Sequence, residues 1–314
     1  MKVVVTGAGG FVGRALAQRL ACDASLSLTL MDTQLPVIEC PDRERIQSVQ
    51  GQLQDAAVRE KILSGGVDVL FHLAALPGGA AEGNPELSRE VNLDSTLNLF
   101  EEAAAAGSNP RIVFTSTIAV LGAPLPPVVD DNCRIQPAMV YGTHKAMVEL
   151  ALADMSRRGQ LDAVSVRLPG IVARPPAPSG LKSAFMSNLF HALQAGEPFT
   201  SPISPQGTLW LMSVERCVDN LVHAAKLDSK TMPASRVVTL PALRCTMGEL
   251  AGAVAAQCEV AESLVSYQAD EGLEAHFGTH PPLQTPAAES AGFSDDDSLQ
   301  NLVQRALAAT RAVG

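Results

Sequence analysis

Short apolar runs alternate with amphipathic segments through the first half of the chain. The runs have the length of strands buried on both faces, and they cover residues 3–5, 26–31, 46–49, 67–73, 111–116 and 163–168. The segments between them have helical spacing, above all residues 85–106 and 139–158. This alternation predicts an α/β fold with a doubly wound parallel sheet and helices on both faces. Because ligands bind beyond the carboxyl ends of such strands, the loops after residues 5, 31, 73, 116 and 168 should line one cleft.

The second half of the chain is less regular and predicts a small α+β lobe. Helices are expected over residues 183–195, 213–227 and 246–258, and a short strand over 237–240. Thr246 and Glu249 have the spacing of a capping box, and Ser294 with the three aspartates after it should cap a last helix. We predict one domain over residues 1–170 and a second lobe over 171–314, with a segment at about 210–240 returning to the first domain.

A glycine-rich turn, TGAGGFVG from Thr6 to Gly13, separates the first strand from the first helix. Glycine at position 7 permits backbone angles that are closed to other residues. Gly10 would let the backbone approach a pyrophosphate, and Gly13 would let the helix pack close to the sheet. The start of the helix adds unpaired N–H groups and a partial positive charge. The turn therefore predicts a Rossmann-type dinucleotide site.

Asp32 lies 19 residues beyond Gly13, at the end of the second predicted strand. A carboxylate at this spacing accepts hydrogen bonds from the adenosine ribose hydroxyls and repels a 2′-phosphate. The spacing therefore favours NAD over NADP. The alternative interpretation is a surface aspartate that closes a strand.

Tyr141 and Lys145 lie at positions i and i+4 of a predicted helix, on the same face. A nearby ammonium stabilises a phenolate, and a tyrosine with a lowered pKa can take a proton from a substrate hydroxyl. The strand that ends at Thr115-Ser116-Thr117 brings hydroxyls to the same edge of the sheet, so Thr117 could hold the substrate oxygen. His144 should point away from Tyr141 and be structural. The alternative interpretation of Tyr141 and Lys145 is a pair on the helix surface.

Composition and net charge argue against several classes of binding partner. The net charge of −10 argues against nucleic acid and anionic membranes, which need a basic surface. The six cysteines are scattered and include no C-x-x-C pair, which is typical of a protein in a reducing cytosol. No apolar run approaches the ~18 residues of a membrane helix, and because the first predicted strand begins at Lys2 we expect no signal peptide. We expect a cytoplasmic protein without a metal site.

In order along the chain, these motifs resemble the extended short-chain dehydrogenase/reductase family, the NAD-dependent epimerases and dehydratases. The resemblance covers nearly the whole chain. It is carried by Thr6–Gly13, Asp32, His72-Leu73-Ala74-Ala75, Val91-Asn92, the hydroxyls before Ile118, Tyr141-x-x-x-Lys145, Arg167-Leu168-Pro169-Gly170 and Ala291-Gly292-Phe293. Residues 74–79, 117–126 and 141–147 are similar to a branch that oxidises four-carbon sugar acids at C2 with NAD.

The resemblance implies that Tyr141 is the general base, that Lys145 binds the nicotinamide ribose and tunes Tyr141, and that Thr117 holds the substrate hydroxyl. Around NAD it implies Gly7, Gly10, Phe11 and Val12 at the pyrophosphate, Asp32 at the ribose, Leu53 at the adenine, and Leu73, Ala74, Ala75, Asn92, Thr115, Tyr141, Lys145, Pro169, Ile171 and Val172 elsewhere. Three positions depart from the family's pattern. They are Thr117 where Ser is commoner, Gln52 where Asp is usual, and Leu121 where an aromatic is usual.

The predicted substrate is a small anionic sugar acid, and the second lobe should complete its pocket. Its carboxylate needs a cation, for which Arg174 is the first choice and Lys182 the second, although either could be a surface charge. Trp210 either caps the pocket or packs in a core. The residues expected at the substrate are Pro77, Gly78, Thr117, Ile118, Tyr141, Arg174 and Trp210.

Two other functions stay open at this point. A nucleotide-sugar 4-epimerase would use the same three catalytic residues but needs a pocket for a nucleotide diphosphate. A non-catalytic NAD(H) sensor would not need Thr117, Tyr141 and Lys145 to be intact. A dehydratase is disfavoured because Ile118 and Ala119 stand where acidic residues are required. The family resemblance further implies a homodimer through the helices near 85–106 and 139–158.

Overall fold

The computed structural model describes residues 1–107, 109–176 and 182–311. The chain divides into two compact units. The first comprises Met1–Val120, Pro137–Arg167 and Asn220–Val238, and the second comprises Leu121–Gln136, Leu168–Asp219 and Thr239–Gly314.

The strands are β1 Lys2–Thr6, β2 Ser27–Asp32, β3 Ile46–Gln50, β4 Val69–His72, β5 Arg111–Thr117, β6 Asp162–Leu168, β7 Gly170–Val172, β8 Phe199–Ser201, β9 Thr208–Ser213, β10 Val237–Thr239, β11 Leu243–Thr246 and β12 Val265–Tyr267. The helices are α1 Phe11–Ala21, α2 Ala56–Leu63, α3 Gly78–Gly83, α4 Pro85–Arg89, α5 Ser95–Ala105, α6 Val140–Arg157, α7 Phe185–Gln194, α8 Val214–Lys226, α9 Met247–Cys258, α10 Glu271–Phe277, α11 Pro286–Ser290 and α12 Leu299–Arg311.

Within the described residues, seven strands form the main sheet in the order β10-β6-β5-β4-β1-β2-β3. The neighbours from β5 to β3 pair in parallel. Every residue of β4 is buried, because helices cover both faces of the sheet. The core of this unit contains Leu70 and Phe114 from the strands and Leu99, Phe100 and Leu152 from the helices. The predicted doubly wound α/β fold is confirmed.

The long helix expected over residues 85–106 contains a π-helical turn. The helix starts at α4, with Asn84 as its cap, passes through the π turn Glu90–Asp94 and continues as α5. A π turn adds one residue to the hydrogen-bonded ring, and such turns occur often at functional sites. Asn92 in this turn is only 2% exposed, so its polar side chain is directed into the protein.

The second unit has its own core and two small sheets, with strand orders β11-β9-β7 and β12-β8. Strand β9 was not predicted, because the sequence pattern in this region indicates only a helix from Ser213 onward. The capping box is confirmed, since Thr246 Oγ1 accepts from Glu249 N–H and Glu249 accepts from Thr246 N–H. None of the helices in the described ranges has the length and apolar character that crossing a bilayer requires.

The predicted cap of the last helix was wrong. Helix α12 starts at Leu299, and Ser298 Oγ accepts a hydrogen bond from Asn301 N–H at 3.2 Å. Among the three aspartates before it, Asp296 is fully buried. It accepts from Ser213 N–H and Oγ and pairs with Arg305 Nη1 at 2.9 Å. A buried carboxylate requires such partners, and here they are Ser213, which is far away in the sequence, and Arg305 on helix α12.

Candidate functional site

The glycine turn after β1 is packed too tightly for side chains. Gly7 has a φ of +74°, and a Cβ there would lie 2.5 Å from the backbone nitrogen of Ala74. Gly10 N–H donates to the Gly7 carbonyl at 3.1 Å. A Cβ on Gly13 would lie 2.0 Å from the same carbonyl oxygen. The turn is therefore held between helix α1 and the loop after β4, the arrangement that a dinucleotide fingerprint requires.

Asp32 is tied directly to this turn. Its Oδ2 accepts from Gly9 N–H at 2.8 Å, and its Oδ1 accepts from Gln34 N–H at 3.0 Å. A Cβ on Gly9 would lie 1.8 Å from the Gln34 carbonyl oxygen. Gly9 was not among the predicted residues, because it lies between the glycines of the fingerprint and is constrained by Gln34 in the loop after β2.

The start of helix α1 suits the pyrophosphate of a dinucleotide. Gly10, the N-cap residue, offers no side-chain acceptor to the first-turn N–H groups, and this turn contains no acidic residue. The helix end therefore keeps its partial positive charge for an anion. Phe11 and Val12 are half-buried beside it. The turn, the helix end and Asp32 fit NAD.

The loop from Leu73 to Gly78 follows β4 and is half-buried along its length. Leu73 N–H donates to the Thr6 carbonyl at 3.0 Å. Asn92 Oδ1 accepts from Leu76 N–H at 2.7 Å, and its Nδ2 donates to the Leu76 carbonyl at 2.9 Å. The Asn92 carboxamide therefore holds this loop, whereas its contact with the cofactor stays a prediction.

Tyr141 and Lys145 lie together near the start of α6, as predicted. The Lys145 side chain is buried, and its Nζ donates to the Thr115 carbonyl at 2.8 Å. Nζ lies 5.7 Å from the centre of the Tyr141 ring and 4.5 Å from that of Phe114. An ammonium held here can stabilise a Tyr141 phenolate.

Two buried bases under the site have lowered pKa values. Burial lowers the pKa of Lys145 to about 7, and the opposite charge of Glu149 acts against this decrease. Burial, reinforced by Lys145, holds the pKa of His72 well below its usual value. The His72 ring bonds to Thr6 Oγ1 at 2.8 Å and to Thr96 Oγ1 at 3.0 Å. His72 is therefore a neutral structural connection between β1, β4 and α5.

Glu149, one turn beyond Lys145, carries a buried network that the sequence analysis missed. Its carboxylate is 1% exposed and accepts from Ser116 Oγ. Arg167 binds both of its oxygens, through Nε at 3.0 Å and Nη2 at 2.8 Å. The i, i+4 spacing from Lys145 was a usable signal, but the approach of Arg167 was not visible in the sequence.

Thr117 lies at the end of β5, where the chain turns toward Tyr141. Its Oγ1 accepts from Ala119 N–H at 3.1 Å. A Cβ on Gly142 would lie 2.5 Å from the Ala119 carbonyl oxygen, so glycine allows α6 to start against this turn. The two predicted catalytic residues therefore belong to segments in direct contact.

Two other predicted cofactor residues are buried. Thr115 donates from Oγ1 to the His72 carbonyl at 3.0 Å, so its hydroxyl is already bonded. Leu53 is 3% exposed and belongs to the core of the first unit. Their contacts with NAD stay predictions.

The remaining predicted residues lie in the second unit. Pro169 precedes β7, in which Ile171 and Val172 are buried. Arg174 is half-buried, and its backbone is fixed by Ser187 Oγ at 2.9 Å and by His191 Nε2 at 2.8 Å. Lys182 is exposed. The roles of Arg174 and Lys182 toward a carboxylate stay predictions.

Trp210 has the features of a core residue. Its side chain is 2% exposed, its Nε1 donates to the Pro281 carbonyl at 2.8 Å, and its ring contacts His280 edge-on at 4.7 Å. This burial favours the second interpretation, that Trp210 packs in a core, over a cap on the substrate. Among the described residues, no group of three His, Cys, Asp or Glu side chains is arranged to hold a metal ion.

The sequence and the fold both match known proteins. The model of the NAD dependent epimerase/dehydratase family matches residues 3–211. D-erythronate dehydrogenase from Cupriavidus necator is 35% identical and the alignment covers 97% of both chains; the enzyme from Haemophilus influenzae is 31% identical, with 97% of this chain and 98% of the relative covered. The crystal structure of a nucleoside-diphosphate-sugar epimerase from Agrobacterium tumefaciens has a TM-score of 0.90 at 34% identity, covering 97% of this chain and 92% of that one.

These similarities confirm the predicted fold, the NAD cofactor and the class of NAD-dependent dehydrogenase. The chain belongs to the NAD-dependent epimerase/dehydratase family.

Proposed function

We propose that this protein oxidises the C2 hydroxyl of a small sugar acid, of the D-erythronate type, to the 2-oxo acid with NAD. The observation that supports the proposal most directly is the Lys145 ammonium, bonded to Thr115 and 5.7 Å from the Tyr141 ring. The similarity to two D-erythronate dehydrogenases along almost the whole chain supports the choice of substrate.

In this reaction Tyr141 acts as the general base and takes the hydroxyl proton. Lys145 stabilises the phenolate of Tyr141 before the transfer, because it places a positive charge beside the ring. Thr117 holds the substrate oxygen near Tyr141. Bound NAD supplies the acceptor for the hydride that leaves the C2 carbon. The substrate carbon loses two electrons and becomes a carbonyl.

We expect the substrate to contact Pro77 and Gly78 at the end of the loop after β4, and Ile118 in the turn after β5. Arg174 is our first choice for the carboxylate, and Lys182 the second. Replacement of the right cation should raise KM about 10-fold or more, since a charge-assisted hydrogen bond contributes ~1.5–3 kcal/mol. Arg174→Met and Lys182→Met, compared side by side, identify it.

The experiment that tests the proposed function is a panel of four-carbon sugar acids and UDP-sugars with NAD, followed by NADH absorbance. We expect NADH formation with D-erythronate or a stereoisomer. Product analysis should give the 2-oxo acid. Activity with UDP-sugars only, or with no compound, would refute the sugar-acid proposal.

A nucleotide-sugar epimerase is the second proposed function, because the similar Agrobacterium structure carries that name. Its substrate needs cations for a diphosphate. Several arginines of this chain already have partners: Arg216 pairs with Asp297, Arg236 pairs with Asp162, and Arg244 Nε bonds to the His280 carbonyl. These contacts favour the sugar acid. Interconversion of UDP-sugars without net NADH formation would favour the epimerase.

We also propose a cytoplasmic homodimer that uses the helices near residues 85–106 and 139–158, which include α4, α5 and α6. Met147 and Leu150 on α6 are 46% and 67% exposed, so this helix presents apolar side chains that a second copy of the protein would cover. Light scattering should give twice the chain mass, and Leu150→Glu should give a monomer. No disulfide joins the cysteines in the described ranges, as a reducing compartment allows. Cell fractionation tests this location.

A further inference from the structure

A chain of hydrogen bonds connects helix α6 with the loop after β4. His144 Nδ1 lies 3.0 Å from Ser88 Oγ. Ser88 Oγ also accepts from Asn92 Nδ2 at 3.1 Å. Asn92 in turn bonds to both backbone groups of Leu76, at 2.7 and 2.9 Å. The contacts therefore run continuously from His144, inside the Tyr-x-x-x-Lys segment, to the backbone of Leu76.

The protons of Asn92 fix the direction of its own hydrogen bonds, and the His144 tautomer sets the direction of the last one. Asn92 uses one amide proton for the Leu76 carbonyl and the other for Ser88 Oγ. Ser88 Oγ accepts from Asn92, and its own hydroxyl proton is available to His144; we take His144 as the tautomer with its proton on Nε2, in which Nδ1 accepts this proton. Ser88 and Asn92 are buried, so water does not replace a lost partner easily. A protonated His144 would donate from Nδ1, so Ser88 Oγ would accept from both neighbours and its own hydroxyl proton would lose this acceptor.

The surroundings of His144 favour the neutral, accepting form. Burial lowers its pKa, Arg89 acts in the same direction, and Asp94 opposes them. The ionisable groups around it are Glu82, Glu86 and Arg89 along its groove and Asp94 beside it, and helix α6 also carries Tyr141, Lys145, Glu149, Asp154 and Arg157.

The loop that this chain reaches is also the loop that carries predicted cofactor and substrate contacts. Leu76 lies between Ala75 and Pro77. Two residues earlier, the Ala74 backbone packs so closely on the turn at Gly7 that a Cβ would not fit. A shift at Leu76 would therefore be transmitted to both binding regions.

We propose that His144 is a positioning residue that sets the backbone of the loop Ala74–Gly78 through Ser88 and Asn92. The expected effect on KM rests on the proposed function, whereas the expected effect on the loop backbone does not.

The kinetic test compares variants that break this series of hydrogen bonds with one that preserves it. Ser88→Ala and His144→Leu remove a link, and we expect each to raise KM for the sugar acid about 5-fold, the effect of one lost hydrogen bond, with kcat changed less. His144→Asn keeps an oxygen acceptor near the Nδ1 position but does not titrate, so its KM should match the wild type. His276→Asn, an exposed histidine bonded within its own helix, is the matched control.

The pH profile separates positioning from simple packing. As pH falls below the usual imidazole range, KM should rise in the wild type and in His276→Asn, because His144 becomes protonated. The KM of His144→Asn should stay flat. The same acid rise in His144→Asn, or an unchanged KM in both Ser88→Ala and His144→Leu, would overturn the proposal.

Hydrogen exchange tests the positioning without any turnover. The Leu76 N–H should exchange faster in Ser88→Ala and His144→Leu than in the wild type and His144→Asn, since Asn92 would hold it less firmly. Equal protection in all four proteins would overturn the proposal. If no sugar acid is oxidised, the proposed function fails, and this measurement still decides the role of His144.

Discussion

The Lys145 ammonium donates a hydrogen bond to the Thr115 carbonyl at 2.8 Å. Thr115 donates in turn from its hydroxyl to the His72 carbonyl at 3.0 Å. This series joins α6 to the carboxyl ends of β5 and β4. Lys145 is buried, so a displaced ammonium would lose this acceptor without gaining water. Substitution of Lys145 should therefore affect both stability and chemistry.

Replacement of Lys145 should change how stability depends on pH. Burial lowers its pKa from 10.5 to about 7. Between these values the unfolded chain binds more protons than the folded one, so the free energy of unfolding rises with pH. The Lys145→Met variant lacks this titrating group, so its stability does not change with pH for this reason. In the absence of NAD, we expect the free energy of unfolding of the wild type to rise relative to that of Lys145→Met as the pH rises, by up to ~1.4 kcal/mol per pH unit.

Urea denaturation of both proteins across this pH window measures the effect. Comparison with the variant removes the contribution of all other titrating groups. The prediction fails if the two stability curves run parallel.

Removal of the Tyr141 hydroxyl should reduce turnover strongly and leave cofactor binding intact. General bases contribute roughly 10²–10⁴-fold to rate, so we expect kcat of Tyr141→Phe to fall by about that factor. NADH affinity, measured by fluorescence titration, should change little. Tyr267→Phe is the matched control, because Tyr267 lies on β12 in the second unit. Full activity of Tyr141→Phe would argue for a different base or for a sensor.

The buried pair of Glu149 and Arg167 should contribute more to stability than an exposed pair. Glu149→Gln leaves the Arg167 guanidinium, only 12% exposed, without its carboxylate, and we expect a loss of roughly 3 kcal/mol. Arg157 and Asp154 form an exposed pair at 2.6 Å. Asp154→Asn should therefore cost less than about 1 kcal/mol.

Urea denaturation of both variants checks the difference. The double variant Glu149→Gln/Arg167→Met should recover part of the loss, because no buried charge then remains alone. Equal effects of Glu149→Gln and Asp154→Asn would contradict the importance of this network.

Gly9 should tolerate no side chain, although it lies outside the fingerprint spacing. The Cβ of Gly9→Ala would meet the Gln34 carbonyl at 1.8 Å, which forces the turn apart. We expect a loss of about 1–3 kcal/mol in stability and weaker NADH binding. Gly83→Ala is the control, since nothing lies within 4 Å of its Cβ. Thermal unfolding and NADH titration compare the two, and similar behaviour would contradict the prediction.

The sequence by itself determined the features that depend on local geometry. Apolar runs of strand length identified the parallel sheet. The spacing of Tyr141 and Lys145 placed them on one helix face, because residues four apart are neighbours on any α-helix. The capping box of Thr246 and Glu249 was equally local. The glycine turn was found because only glycine permits its backbone angles.

Only the tertiary structure decided which distant groups meet. It brought Arg167 onto Glu149, Gln34 onto Gly9 and Ser88 onto His144. It also turned Asp296 inward and buried Trp210. Charge and hydrogen-bonding capacity are written in the sequence. The partner that satisfies each group, however, depends on how segments far apart in the chain pack. The spacing of residues within one segment does not reveal this packing.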